Sequence, residues 1–201
     1  LLRSVAFKLD LYDKPDGDRK IHAEYVPTLG GIALFLAFFV GFSVSGFASQ
    51  MQGYSYFAAA MLMLFFTGMK DDLVGLSPFM KLAVEVAVGL MLIFGSGIYI
   101  TNFYGVLGIG EIPFAVSVVI TLFTMLDVVN TYPLIDGVDG LAGGIGVIAS
   151  LFFGIGFFVA GDYAMAMLSA VVMAALAGYL LHNFYPASIF MGDTGSLIIG
   201  F

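Results

Sequence analysis

The chain has 201 residues, of which 61% are hydrophobic and 10% charged. Soluble domains carry about 25% charged residues, so the composition excludes a soluble globular protein and indicates the membrane class. The net charge of −7 speaks against nucleic acid as a partner, and the absence of cysteine excludes disulfides and thiolate metal sites.

The N-terminal segment holds Arg3, Lys8, Lys14, Arg19 and Lys20, followed by His22, all ahead of the first complete apolar run. Its opening, LLRSVAFKLD, lacks the order and cleavage site of a signal peptide and reads as the exit of an earlier helix. No charge occurs between Glu24 and Lys70. Because about 20 apolar residues cross the hydrocarbon, that stretch alone predicts two helices. Apolar runs predict spans near 29–48, 54–69, 82–100, 112–130, 141–160 and 163–181, and a seventh starting near 196. The expected fold is all-α, a polytopic transmembrane helix bundle, with residues 1–201 a single membrane domain. GSLIIGF stops as an apolar run begins, so the chain reads as an excerpt of a longer one.

Orientation follows from the basic residues, which accumulate in cytoplasmic loops. Beyond the N-terminal five, only Lys70 and Lys81 remain, and they flank the loop after the second predicted span. Counting spans from there puts the loops at 132–140 and 182–196 on the same, cytoplasmic side. Asp71, Asp72, Asp136, Asp139 and Asp193 are thereby expected at one end of the bundle. The acidic total of the chain is thus a local concentration of acid.

Each motif has a chemical reading and a plainer one. Asp71-Asp72 ends a helix, and Ser77-Pro78, a good cap followed by a good first residue, opens the next. Adjacent carboxylates repel unless a cation is present, although a solvated pair at a membrane surface is equally ordinary. Asp136-Gly-Val-Asp139-Gly has a spacing of three, which puts both acids on one face if it is helical. Hard oxygen ligands of this kind suit Mg²⁺ with substrate phosphates; the plain alternative is a helix-end cap. Gly192-Asp193-Thr194-Gly195-Ser196 runs into an apolar helix, whose free N–H groups would favour phosphate or be ordinarily capped. Glu85 and Asp127 fall inside predicted spans, where carboxylates are functional candidates; Glu85 could instead pair with Lys81 four residues earlier. His182 and Asn183 either contact ligand or tie down the last loop.

Together RKIH…PTLGG, KDDLVGLSP, N…DGVDGLAGG and FYPASIFMGDTGS resemble four successive cytoplasmic motifs of the polyprenyl-phosphate N-acetylhexosamine-1-phosphate transferase superfamily, glycosyltransferase family 4. The form of the first motif is more similar to the bacterial undecaprenyl-phosphate N-acetylglucosamine-1-phosphate transferases than to the phospho-N-acetylmuramoyl-pentapeptide translocase. The resemblance implies transfer of a sugar-1-phosphate from a UDP-sugar to polyprenyl phosphate at the inner membrane, with Mg²⁺ (or Mn²⁺) as cofactor and a homodimer left open. It implies Asp71 and Asp72 as catalytic residues and Asp193 with Asp72 as metal ligands. Asn130, Asp136, Asp139, Asn183, Gly192, Thr194, His22 and Lys81 are the implied nucleotide- or phosphate-binding residues. Two positions depart from the pattern: Pro133 stands where the family usually has a second Asn after Asn130, and Thr28 where an Arg is frequent. Proline offers no ligand atom and is expected to break the helix, so a non-catalytic paralogue is the alternative reading. A proton-coupled transporter, resting on Glu85 and Asp127, is a second.

Overall fold

A computed structural model describes residues 30–201; the expectations placed on His22 and Thr28 lie outside the described residues. Among these, seven α-helices follow in order: α1 (Gly30–Val44), α2 (Tyr54–Val74), α3 (Pro78–Met91), α4 (Phe114–Ile135), α5 (Leu141–Ala160), α6 (Tyr163–Asn183) and α7 (Gly192–Gly200). Apart from one isolated bridge between Asn102 and Glu111, the described residues contain no β-structure. The segments Pro78–Ser96, Phe114–Ile135, Leu141–Ala160 and Tyr163–Asn183 are long and apolar enough to cross a bilayer. The protein is an integral membrane protein with an all-α bundle.

Local chemistry sets the helix ends. Ser77 accepts a hydrogen bond from the Met80 N–H, and Pro78 occupies the first turn of α3, where its missing donor costs nothing. Asp162 caps α6 by accepting from the Met165 N–H. Glycines in the left-handed region, Gly140 at φ 74° and Gly161 at φ 80°, bracket α5.

Several boundaries differ from the sequence expectation. Helix α1 ends at Val44, short of 48, because Ser45 turns back onto the Phe42 carbonyl and Gly46 adopts φ 79°. Helix α2 continues past its apolar run to Val74, so Asp71 and Asp72 ride on its last helical turns. Helix α3 begins four residues before the expected 82, and its far end widens into a π-turn at Leu92–Ser96. Pro133 does not break α4, which runs on to Ile135. The proline lies in the final turn, where the ladder loses one bond before it would have ended. Asp136 and Asp139 do not share a helical face, because they lie in the turn that joins α4 to α5. Helix α7 starts at Gly192, so the GDTGS sequence is its first turn and a half.

Helix α7 is the centre of the bundle and packs against α1, α2 and α4. Leu197 and Ile198 are buried on it. Around Ile198 lies an apolar cluster that includes Phe35, Phe38, Met61, Leu64 and Val88; a second cluster joins Leu34, Tyr132, Leu176, Tyr179 and Met191. The approach to α7 is close enough to demand glycine. A Cβ on Gly31 would stand 2.2 Å from the Gly195 nitrogen, and one on Gly68 would stand 2.6 Å from Thr194 Cα. Both obstacles are backbone, which cannot rotate aside.

Replacing Gly68 with valine should therefore push α2 off the start of α7. Overpacking of this kind costs about 1–3 kcal/mol, read as a lowered thermal unfolding midpoint in detergent. A midpoint unchanged from wild type would refute the close packing.

Candidate active site

The acidic residues that the chain separates by more than 120 positions meet where α2, α4 and α7 end or begin. Asp72 accepts hydrogen bonds from the N–H of Asp193 at 2.8 Å, the N–H of Thr194 at 2.9 Å and the Thr194 hydroxyl at 2.6 Å. Asp136, just past the end of α4, accepts from the Gly192 N–H at 3.2 Å. The first three amides of α7, which a helix leaves unpaired, are thus taken by carboxylates from two other elements. The helix dipole favours that arrangement. In this conformation the amides expected to face phosphate are occupied by protein.

Beside this cap lies an ion cluster. Lys81 Nζ stands 3.1 Å from Asp71 Oδ2 and 3.4 Å from Asp193 Oδ1. Asp71 Oδ1 accepts from the Leu76 N–H at 2.6 Å, which folds the 75–77 linker back over the end of α2. The Asp71 and Asp193 carboxyls are also in hydrogen-bonding contact with one another.

The DGVDG turn is stitched to the last loop. Asp139 accepts from the Ala187 N–H at 3.0 Å. Asn183 closes the same junction, accepting from the Gly140 N–H and donating to the Ile189 carbonyl, both at 2.9 Å. Asn183 is buried, and its contacts here are those of a loop tie. One turn deeper than Lys81 on α3, Glu85 accepts from Asn130 Nδ2 at 2.5 Å. The sequence signal for this pair was an ionisable group within an apolar run, but its partner on α4 could not be read from spacing.

Crowding like charges in a half-dry site shifts their protonation. Burial raises Asp136 to about 7, assisted by the neighbouring Asp193 and Asp72 charges. Burial likewise raises Asp193 to about 6, with the Asp71 contact adding to it and Lys81 opposing it. Asp72, past the apolar run of α2, is also raised: its burial outweighs the three hydrogen bonds it accepts. Asp71 moves the other way. Burial pushes it up, but the hydrogen bonds from Asp193, Lys81 and Leu76 together outweigh that and hold it below its ordinary value.

The donor set suits a hard divalent cation. The Lys81 ammonium faces two carboxylates, Asp71 and Asp193, with Asp72 and Asp136 close behind them at the start of α7, so acid outnumbers base at this end of the bundle. Among the described residues no three acids stand close enough to hold an ion by themselves. Mg²⁺ usually binds through one or two carboxylates and completes its shell with phosphate and water, so two acids suffice.

These features define a class: an integral membrane helix bundle with a carboxylate cluster built on a helix N-terminus at one end. The sequence profile of glycosyl transferase family 4 matches residues 54–201, and the chain belongs to that family. It is 30% identical over 209 residues to a probable undecaprenyl-phosphate N-acetylglucosaminyl 1-phosphate transferase of Bacillus subtilis, an alignment covering 100% of this chain and 56% of the relative. A Yersinia pestis undecaprenyl-phosphate alpha-N-acetylglucosaminyl 1-phosphate transferase is 31% identical, over 99% of this chain and 55% of its own. A Mycobacterium tuberculosis decaprenyl-phosphate N-acetylglucosaminephosphotransferase is 33% identical, over 99% and 53%. The chain therefore spans about half the length of these relatives.

The raised acids make stability depend on pH in a defined direction. Unfolded aspartates release their protons near 3.9, whereas Asp136 and Asp193 keep theirs to about 7 and about 6. The folded protein binds more protons in between, so this contribution is full below about pH 4 and is lost as pH rises through 7. Metal-free protein in detergent should unfold at a lower temperature at pH 7.5 than at pH 5, and Asp136→Asn should flatten that difference. Equal slopes for variant and wild type would show that Asp136 does not carry it.

Proposed function

We propose that the protein transfers a sugar-1-phosphate, N-acetylglucosamine 1-phosphate in the first instance, from a UDP-sugar to polyprenyl phosphate. The site faces the cytoplasm from the bacterial inner membrane, and the product starts a cell-envelope glycan. The observation that carries this reading is the Asp71–Lys81–Asp193 cluster, set against an Asp72-capped helix start. It supplies mixed charge where two anionic substrates must approach each other. The names of the relatives support the substrate class, and the five basic residues ahead of the first span support the orientation.

In this reaction an oxygen of the lipid phosphate bonds to the β-phosphorus of the nucleotide sugar. The bond from that phosphorus to the bridging oxygen breaks, and UMP leaves with the oxygen. Such chemistry asks mainly for positioning and charge neutralisation. Asp71, held anionic by Lys81 and the Leu76 amide, is placed to take a proton from the lipid phosphate or to orient it. Lys81 offers the fixed positive charge for a phosphate oxygen once it leaves either acid. Asp72 organises the start of α7 and so sets where Asp193 stands. A bound Mg²⁺ or Mn²⁺, held by Asp193 with Asp72 or Asp71, would screen the repulsion between the two substrates. Asp136, Asp139, Gly192 and Thr194 shape the same rim toward the nucleotide.

Glu85 is fully buried and hydrogen-bonded to Asn130, a position closed to water and poorly suited to a proton carrier. Pro133 leaves α4 intact, which removes backbone disruption as a reason for inactivity.

Full-length protein in detergent, given polyprenyl phosphate and UDP-N-acetylglucosamine, should release UMP only with Mg²⁺ or Mn²⁺. Asp71→Asn and Asp193→Asn should each lower the rate by about 10²–10⁴-fold, the range for a lost acid–base or charge-stabilising group. Metal-dependent release that survives both substitutions would reject the site, and no release from any of several UDP-sugars would reject the activity.

A further inference from the structure

Glu85 is an ionisable side chain with no exposed surface, inside a helix whose other charged residue is Lys81. Such groups are costly in a membrane and are kept for a purpose beyond packing. It stands four residues after Lys81, hence on the same face of α3 as the lysine that touches Asp71 and Asp193. Oε2 accepts from Asn130 Nδ2, while Oε1 is buried without a hydrogen-bond partner. The carboxyl group makes one directed contact, and that contact is to Asn130.

The effect on Asn130 can be worked out atom by atom. Its Nδ2 donates both to Glu85 Oε2 at 2.5 Å and to the Leu126 carbonyl at 2.9 Å. A carbonyl oxygen only accepts, so the amide cannot be turned end for end without setting two oxygens against each other. Both N–H bonds are spent. The one polar side-chain atom left to an otherwise exposed Asn130 is Oδ1, which only accepts. A phosphate dianion, composed of acceptors, has nothing to give such an atom. A base or sugar bearing N–H or O–H groups has.

We infer that Glu85 is a positioning residue, locking the Asn130 amide so that its carbonyl oxygen accepts a hydrogen bond from the base or sugar of the nucleotide sugar. This rests on the transferase reading above, and it assigns Asn130 to the donor-bearing part of the ligand, leaving the phosphates to Lys81. It also gives Glu85 a role without exposure: its oxygen acts one residue removed from the ligand.

The test is calorimetric titration of the full-length protein in detergent with UDP-N-acetylglucosamine and Mg²⁺, alongside steady-state kinetics. Asn130→Ala and Glu85→Leu should each weaken binding about 10-fold and raise the KM for the nucleotide sugar, with the KM for polyprenyl phosphate unmoved. Glu85→Gln, whose amide oxygen can still accept from Nδ2, should recover most of the loss. In the Asn130→Ala background Glu85→Leu should add nothing further. If the two losses multiply to about 100-fold, or if Glu85→Leu lowers only the unfolding midpoint, Glu85 is a structural tie between α3 and α4 and the inference fails. A shift confined to the Mg²⁺ concentration needed for half-maximal rate would give Oδ1 to the metal and overturn the assignment. Wild-type protein that binds no UDP-sugar would remove the transferase reading itself, an outcome distinct from the others.

Discussion

The Asp72 carboxylate is bound across 121 residues of sequence to the first turn of α7, and the rest of the site is placed by that bond. Three donors converge on its two oxygens, two of them backbone amides that nothing within α7 could satisfy. Because a helix start left unpaired in a half-dry setting costs about 1–3 kcal/mol per group, α2 and α7 cannot slide past one another without losing the cap. The glycines at 31 and 68 make the same demand sterically, since both pack against the backbone of that turn. Asp136, just past the end of α4, accepts from the third amide, that of Gly192. Three helices are therefore in register at one level, and that level is where the remaining acids lie.

From this register follows the electrostatic character of the cluster. Asp72 accepts three hydrogen bonds from the start of α7, while Asp71 and Asp193 face Lys81. The pair is asymmetric: Asp71 is held low by its hydrogen bonds, while burial and like charge push Asp193 and Asp136 up. A site with one acid kept anionic and others ready to release a proton is suited to exchange protons for a cation when an anionic ligand arrives. The asymmetry comes from how deeply each acid is buried and which side chains and amides face it, and so from the same packing that joins the helices.

Much of the architecture was legible from residue chemistry. The spans over 141–160 and 163–181 agree closely with α5 and α6, because left-handed glycines and an aspartate cap mark their ends with side-chain-specific signals. The helices α2 and α4 run on past the apolar ends at 69 and 130. Hydropathy records where apolar residues stop, but a helix can continue into the polar region as far as its backbone bonds allow, and α2 and α4 both do. Pro133 shows the same limit: a rule that holds in a helix interior loses most of its force in the last turn.

The convergence of the aspartates at one end was determined by the sequence alone, since counting membrane crossings needs only the apolar runs and the positions of Lys and Arg. Which acid does what was decided by the tertiary structure. Nothing in the spacing of Asp71 and Asp72 distinguishes the one that meets Lys81 from the one that caps α7, as they are neighbours on the same helix. The hundred degrees of rotation between successive helical residues turns one toward α3 and the other toward α7. Likewise Glu85 and Asn130, 45 positions apart, become partners only when two helices pack, because a hydrogen bond depends on ångström-scale approach and orientation that no one-dimensional pattern encodes.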